Sequence, residues 1–207
     1  MNEQELVAGI HRSDLFNGCT FFEGFLPQGP KLCHLLGQIN NHLAFRYRGH
    51  CEEDPTFKQV IPYCLITRGN ELFVTRRRPN GGDARLYGKG SIGIGGHMNP
   101  VPGVPVSQLM QVNMLRELQE EVEIILPEGL EKKTEIIGMI NFEHDPVSTV
   151  HVGVVYRVAV PVAAEVKIRE VDKLEGSFKS LRGAIATPNM EAWSSVCLNE
   201  PLSFWLS

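Results

Sequence analysis

Arg116-Glu117-Leu118-Gln119-Glu120-Glu121 decides how this chain is read. It lies downstream of the glycine-rich run Gly93-Ile94-Gly95-Gly96-His97. On a helix, at ~100° per residue, Glu117, Glu120 and Glu121 fall within an arc of roughly 100°. Met110, Met114, Leu115, Leu118 and Val122 occupy an adjoining arc of about 140°. The acidic face therefore abuts the core-facing stripe, with Glu121 at its edge. Three crowded, partly desolvated carboxylates favour a hard divalent cation with a preference for oxygen ligands.

Around this helix the pattern is mixed α/β. Val60 to Thr67 and Leu72 to Pro79 are β-prone runs separated by the turn signal Arg68-Gly69-Asn70-Glu71, which predicts a hairpin. Gly90 to Gly96 reads as a glycine-spaced strand, a pattern that marks close backbone approach. The loop Asn99-Pro100-Val101-Pro102-Gly103-Val104-Pro105 cannot be helical, and Ser107 is the expected N-cap of a helix running to about Val122. Thr134 to Phe142 is β-like. Val150, Val152, Val154, Tyr156 and Val158 alternate strictly, as in a half-buried strand. Val166 to Val171 suggests a further strand, and Ser177–Ala186 and Met190–Leu198 suggest short helices. Upstream, Leu32 to Leu43 has helical spacing within an N-terminal extension, residues 1–57, expected to pack on a core domain of residues 58–207. Arg46, Arg48 and His50 in this extension read as a solvated basic segment or as a contact to anionic substrate.

Composition narrows the class. Of 207 residues, 43% are hydrophobic and 21% charged, enough to bury a real core. The net charge of −4 comes without a run of like charge, which argues against a nucleic-acid-coating surface. Cys19, Cys33, Cys51, Cys64 and Cys197 form no C-x-x-C pair, so a zinc ribbon is disfavoured and reduced thiols in a cytoplasmic protein are expected. The acidic N-terminus is not a signal peptide, and no apolar stretch is long enough to span a membrane.

The glycine run and the acidic helix resemble the Nudix signature, G-x5-E-x7-R-E-U-x-E-E-x-G-U with U aliphatic. Arg116 to Glu121 supplies R-E-U-x-E-E in full, Ile124 the final aliphatic residue, and Gly95-Gly96 a glycine pair at the end of a strand. Three departures stand out. The first signature glutamate falls on Gln108. Asn99 to Ser107 lengthens the loop between His97 and that position. Glu123 replaces the penultimate glycine.

The resemblance implies a Nudix-like α/β/α sandwich with a mixed sheet. It also implies a hydrolase that cleaves the pyrophosphate linkage of a nucleoside diphosphate derivative with Mg²⁺ or Mn²⁺; dimers are frequent in the family, and the sequence leaves open whether this chain forms a homodimer. By the same correspondence Glu117, Glu120, Glu121 and the Gly95 carbonyl are metal ligands, and Arg116 orients the glutamates. The general base stays open between a signature glutamate such as Glu120 and the loop Glu143-His144-Asp145. Arg76, Arg77, Arg78 and Arg85 flank the strand before the glycines. Arg76 and Arg78 share one face, and either suits phosphate oxygens. His97 and Gly96 are further candidates for substrate contact. Gln108 leaves a second function in view, a Nudix-fold nucleotide or nucleotide-sugar binding module without turnover.

Overall fold

Every residue from Phe57 to Ile66 is buried, side chains of both faces included. Such a strand needs cover on both faces and neighbours on both edges. The protein, seen in a computed structural model that describes residues 3–18, 21–79 and 87–200, provides them. Cys19 and Arg85 lie outside the described residues.

In chain order the elements are β1 (Leu6–His11), α1 (Arg12–Leu15), β2 (Gly24–Pro27), α2 (Pro30–His42), β3 (Ala44–Tyr47), α3 (Arg48–Cys51), β4 (Phe57–Arg68), β5 (Glu71–Arg77), β6 (Gly90–Ser91), β7 (Gly93–Gly95) and α4 (Val106–Glu121). They continue with β8 (Val122–Ile125), β9 (Lys133–Asn141), α5 (Pro146–Thr149), β10 (His151–Ala159), β11 (Glu165–Ile168), β12 (Leu174–Ser180), α6 (Leu181–Ile185) and α7 (Ala192–Leu198). The described residues fall into two compact units. The first comprises those of Met1–Tyr63, Gly95–Leu115 and Ile136–Val155; the second, those of Cys64–Ile94, Arg116–Glu135 and Tyr156–Ser207.

In the first unit β1 pairs antiparallel with β3, Leu6 opposite Tyr47, and with β4, Gly9 opposite Gln59. β2 pairs antiparallel with β9, Gly24 opposite Asn141. The residues before β4 thus supply three strands of the sheet, β1, β2 and β3. α2 buries Leu32, Leu35 and Ile39, spaced three and four apart as the sequence pattern requires.

In the second unit β4 turns into β5 through Thr67–Leu72 and Arg68–Glu71, with Gly69 in the left-handed conformation that the turn requires. β12 pairs with the full length of β5, from Leu174 opposite Arg77 to Ser180 opposite Glu71. β8 and β11 form a separate antiparallel pair. β10 neighbours β4. Gln59 N–H donates to the Val150 carbonyl, and Val160 N–H to the Thr67 carbonyl, so both strands ascend together and the pairing is parallel. The fold is mixed α/β with a mixed sheet.

Four expectations are corrected in detail. β10 is buried along both faces over its first six residues and is not half-buried: it is an interior strand, between β4 and β9, with both faces covered. Ser177 to Ser180 is strand, not helix: Phe178 packs edge-on against Phe73 with ring centroids 5.1 Å apart, and tertiary pairing overrides a polar local pattern. The glycine run is two short strands, β6 and β7, interrupted at Ile92. α4 starts before Ser107, where the Pro105 carbonyl accepts the Leu109 N–H at 3.1 Å.

Candidate active site

The last two turns of α4 present the acidic cluster. Leu109, Met114, Leu118 and Val122 are buried, whereas Met110 and Leu115 are only half-buried. Burying four such side chains contributes on the order of 2 kcal/mol each and fixes the helix's rotation. That rotation leaves the glutamates unequal. The side chains of Glu117 and Glu121 are 14% and 17% exposed, that of Glu120 57%.

Arg116 ties two of them together. Its Nη2 donates to Glu117 Oε1 at 2.6 Å and its Nη1 to Glu120 Oε1 at 3.0 Å. The i, i+4 spacing and the planar fork make one guanidinium serve both carboxylates. Glu121 is held differently. Burial pushes its pKa up to about 7; Arg77 opposes that shift, while Glu117, Glu170 and Glu191 add to it. The fully buried Cys64 thiol on β4 is raised first by burial and then by the charges of Glu117 and Glu121. A buried carboxylate kept partly protonated beside a second one gains from a hard divalent cation. The all-oxygen donor set fits Mg²⁺ or Mn²⁺.

The arginines of β5 divide as alternation dictates, and the one facing the acidic cluster is Arg77, whose Nη2 lies 3.9 Å from Glu121 Oε1. Arg76 donates to the carbonyls of Gly88 at 2.7 Å and Pro188 at 3.3 Å, a strap between loops. Arg78, at the open end of the strand, is half-exposed and lies 3.6 Å from Glu175. Alternation separates Arg77 from its neighbours, but the sequence does not say which face meets α4.

Gly95 closes β7 in the first unit. A Cβ there would sit 2.7 Å from the Pro62 carbonyl oxygen, so β4 itself requires the glycine. Gly96 and His97 come next, both half-buried. His97 Nε2 lies 3.2 Å from Nε2 of the buried His151. The lengthened loop is fastened at its start. Asn99 N–H donates to Asn113 Oδ1 at 2.9 Å, and Asn113 Nδ2 donates to the carbonyls of Asn99 and Leu109, both at 3.0 Å. Asn113 is fully buried on α4, a positioning residue for which no motif gave a signal. Gln108 is exposed on the helix's first turn.

Glu143 is ion-paired. It pairs with Arg12 and, at 2.9 Å, with Nζ of the fully buried Lys58. Burial alone would raise its pKa; the hydrogen bonds and charges of Arg12 and Lys58 outweigh that and leave it lowered. Asp145 caps α5, accepting from Ser148 N–H at 2.9 Å and Ser148 Oγ at 2.7 Å. His144 is exposed, 3.5 Å from Glu23. The basic segment of the extension is ion-paired: Arg46 with Asp54 at 3.1 Å, Arg48 with Glu5 at 3.0 Å and Glu52 at 3.3 Å.

Known proteins resemble this one along nearly the whole chain. Protein YmaB of Bacillus subtilis (strain 168) is 33% identical over 201 residues, covering 94% of this chain and 95% of YmaB. The crystal structure of Tm1382, provisionally assigned as a Nudix hydrolase, superposes with a TM-score of 0.75 at 27% identity, over 94% of this chain and 96% of Tm1382. A MutT protein from Methanosarcina mazei Go1 is a weaker likeness, with a TM-score of 0.45 and 22% identity over 72% of this chain and 90% of its own. No family model matches the sequence. Among the described residues no helix is long and apolar enough to cross a membrane. With the Arg-Glu-Leu-Gln-Glu-Glu helix end in place and a structural counterpart of the same kind along nearly its whole length, the chain belongs to the Nudix hydrolase family.

Proposed function

We propose that the protein hydrolyses the pyrophosphate linkage of a nucleoside diphosphate derivative, using Mg²⁺ or Mn²⁺. The observation that carries this reading is the pair Glu117 and Glu121, one helical turn apart with side chains only 14% and 17% exposed, next to the Arg116 fork that holds Glu117 and Glu120. A module that only bound ligand would gain nothing from keeping such a costly group. Glu117, Glu120 and Glu121 would hold the ion, which supplies neutralisation of phosphate charge and activation of water. Gly95, by family correspondence, would add its carbonyl.

Arg116 positions Glu117 and Glu120 in one geometry. Glu120, the most exposed of the three, is the carboxylate that takes the proton from the attacking water. Glu143 does not suit that role while Arg12 and Lys58 hold its pKa down. Arg78, half-exposed at the end of β5, is the arginine available to a phosphate; Arg76 is occupied by backbone carbonyls. Gly96 and His97, directly after β7, are the remaining candidates for substrate contact.

One observation favours a second reading, a nucleotide-binding module without turnover: Gln108 stands exposed where the family places its first glutamate. Product release from a panel of nucleoside diphosphate derivatives, with Mg²⁺ or Mn²⁺ and with chelator, separates the two. Metal-dependent release that Glu120→Gln abolishes supports hydrolysis. Binding of nucleotide without release, converted to turnover by Gln108→Glu, supports the module.

A further inference from the structure

Glu52, His97 and His151 come from three distant parts of the sequence, yet one ligand atom of each lies within 4.8 Å of the other two. We propose that they form a second metal site, for Zn²⁺ or a similar borderline ion, distinct in chemistry from the carboxylate cluster on α4. His151 opens β10 and is buried; Glu52 directly follows α3; His97 follows the glycine pair.

The geometry of the two imidazoles is the main argument. His151 Nδ1 lies 2.6 Å from the Val147 carbonyl oxygen. A carbonyl only accepts, so Nδ1 carries the proton and, in the neutral ring, Nε2 presents its lone pair. That lone pair meets His97 Nε2 at 3.2 Å. Two nitrogens this far apart, each about 2.0–2.1 Å from a shared ion, subtend an angle of about 103° there, close to tetrahedral. The backbone carbonyl behind His151 is the kind of outer partner that fixes tautomer and ring orientation in zinc sites.

Glu52 completes a two-histidine, one-carboxylate set, which leaves a fourth position for water or a ligand. Its Oε1 accepts from Arg48 Nε at 3.3 Å, which steadies the carboxylate. The cations facing His151 are Arg48 and Lys58, and each is balanced by a carboxylate: Arg48 by Glu5 as well as Glu52, Lys58 by Glu143. Imidazole nitrogen is a poor ligand for Mg²⁺ and a good one for Zn²⁺, so the two sites select different ions.

The test is titration of the full-length protein with Zn²⁺ in excess Mg²⁺, and with Co²⁺ followed by its visible absorption. The expected result is one Zn²⁺ per chain and an intense tetrahedral-type Co²⁺ spectrum. His97→Ala and Glu52→Gln, with folding checked by circular dichroism, should each weaken Zn²⁺ at least about tenfold and abolish that spectrum. Glu121→Gln should keep both, which separates this site from the α4 cluster. Absence of Zn²⁺ binding in the native protein overturns the proposal. So does unchanged affinity in folded His97→Ala and Glu52→Gln, or loss of the site in Glu121→Gln alone.

Discussion

Arg77 Nη2 and Glu121 Oε1 lie 3.9 Å apart, too far for a hydrogen bond and close enough to moderate a charge. The arginine therefore tempers, without cancelling, the burial that lifts Glu121 to a pKa of about 7. The metal-free protein should show the result in its stability. A carboxyl whose folded pKa exceeds its unfolded value favours the fold fully at low pH, and that support is lost as pH rises through about 7. Glu121→Gln should stabilise the chelated protein at pH 8 by about 3 kcal/mol, with the difference vanishing near pH 4. Thermal melts across that range check it; a pH-independent difference would refute it.

Arg116 is a positioning residue, and its removal should separate activity from stability. The Arg116–Glu120 pair is exposed but Glu117 is half-buried, so Arg116→Ala should cost about 1–2 kcal/mol and leave the protein folded. It should lower kcat at least about tenfold, because Glu117 and Glu120 lose their common donor. Arg116→Lys, lacking the fork, should recover little. Equal kcat in Arg116→Ala and the native enzyme would remove the clamp from the mechanism.

Glu120→Gln should reduce kcat by about 10² or more, with KM little changed, as expected for loss of a proton acceptor. Gln108→Ala, at an exposed amide on the helix's first turn, should change kcat less than about threefold. Steady-state kinetics on the best substrate of the panel decide between them. Similar losses in both variants would mean that the first turn of α4 takes part in the chemistry.

Glu143→Gln leaves the fully buried Lys58 and its neighbour Arg12 facing an amide. Breaking such a cluster should cost about 3 kcal/mol at neutral pH. Because the native Glu143 pKa is lowered, its stabilisation is present above the unfolded value and fades as acid titrates the folded group. Chemical denaturation at pH 7 and pH 3 should show the gap shrinking. A kcat loss with unchanged stability would instead return Glu143 to the role of general base.

The sequence carried the acidic helix because a 3.6-residue period and a charge cluster are both local properties. The β4–β5 hairpin was equally legible from two β-prone runs around Arg68-Gly69. β12 was not: its residues alternate weakly, since an edge strand leaves most of them exposed, and only pairing with β5 makes it a strand. The four-residue strands β2 and β3 are too short for any period to show. His97 and His151 stand 54 residues apart with no spacing rule to link them, so only the folded chain brings their rings together. Arg77 illustrates an intermediate case, in which alternation fixes two faces but tertiary structure chooses between them.

The side-chain bolt from Asn113 to Asn99 has a consequence for how this helix tolerates change. In the Nudix signature a fixed count of residues joins the glycines to the helix. Here the chain is gripped at Asn99, from below by Asn113 and from the side by Glu5 and Leu6, before the proline-rich stretch begins. The segment from Pro100 to Val104, ahead of the Pro105 carbonyl that opens α4, is then a spacer whose length no longer sets the phase of the glutamates. The family's ruler has been replaced by a rivet, which leaves this loop free to grow, shrink or acquire new contacts while the acidic turn of α4 stays in register.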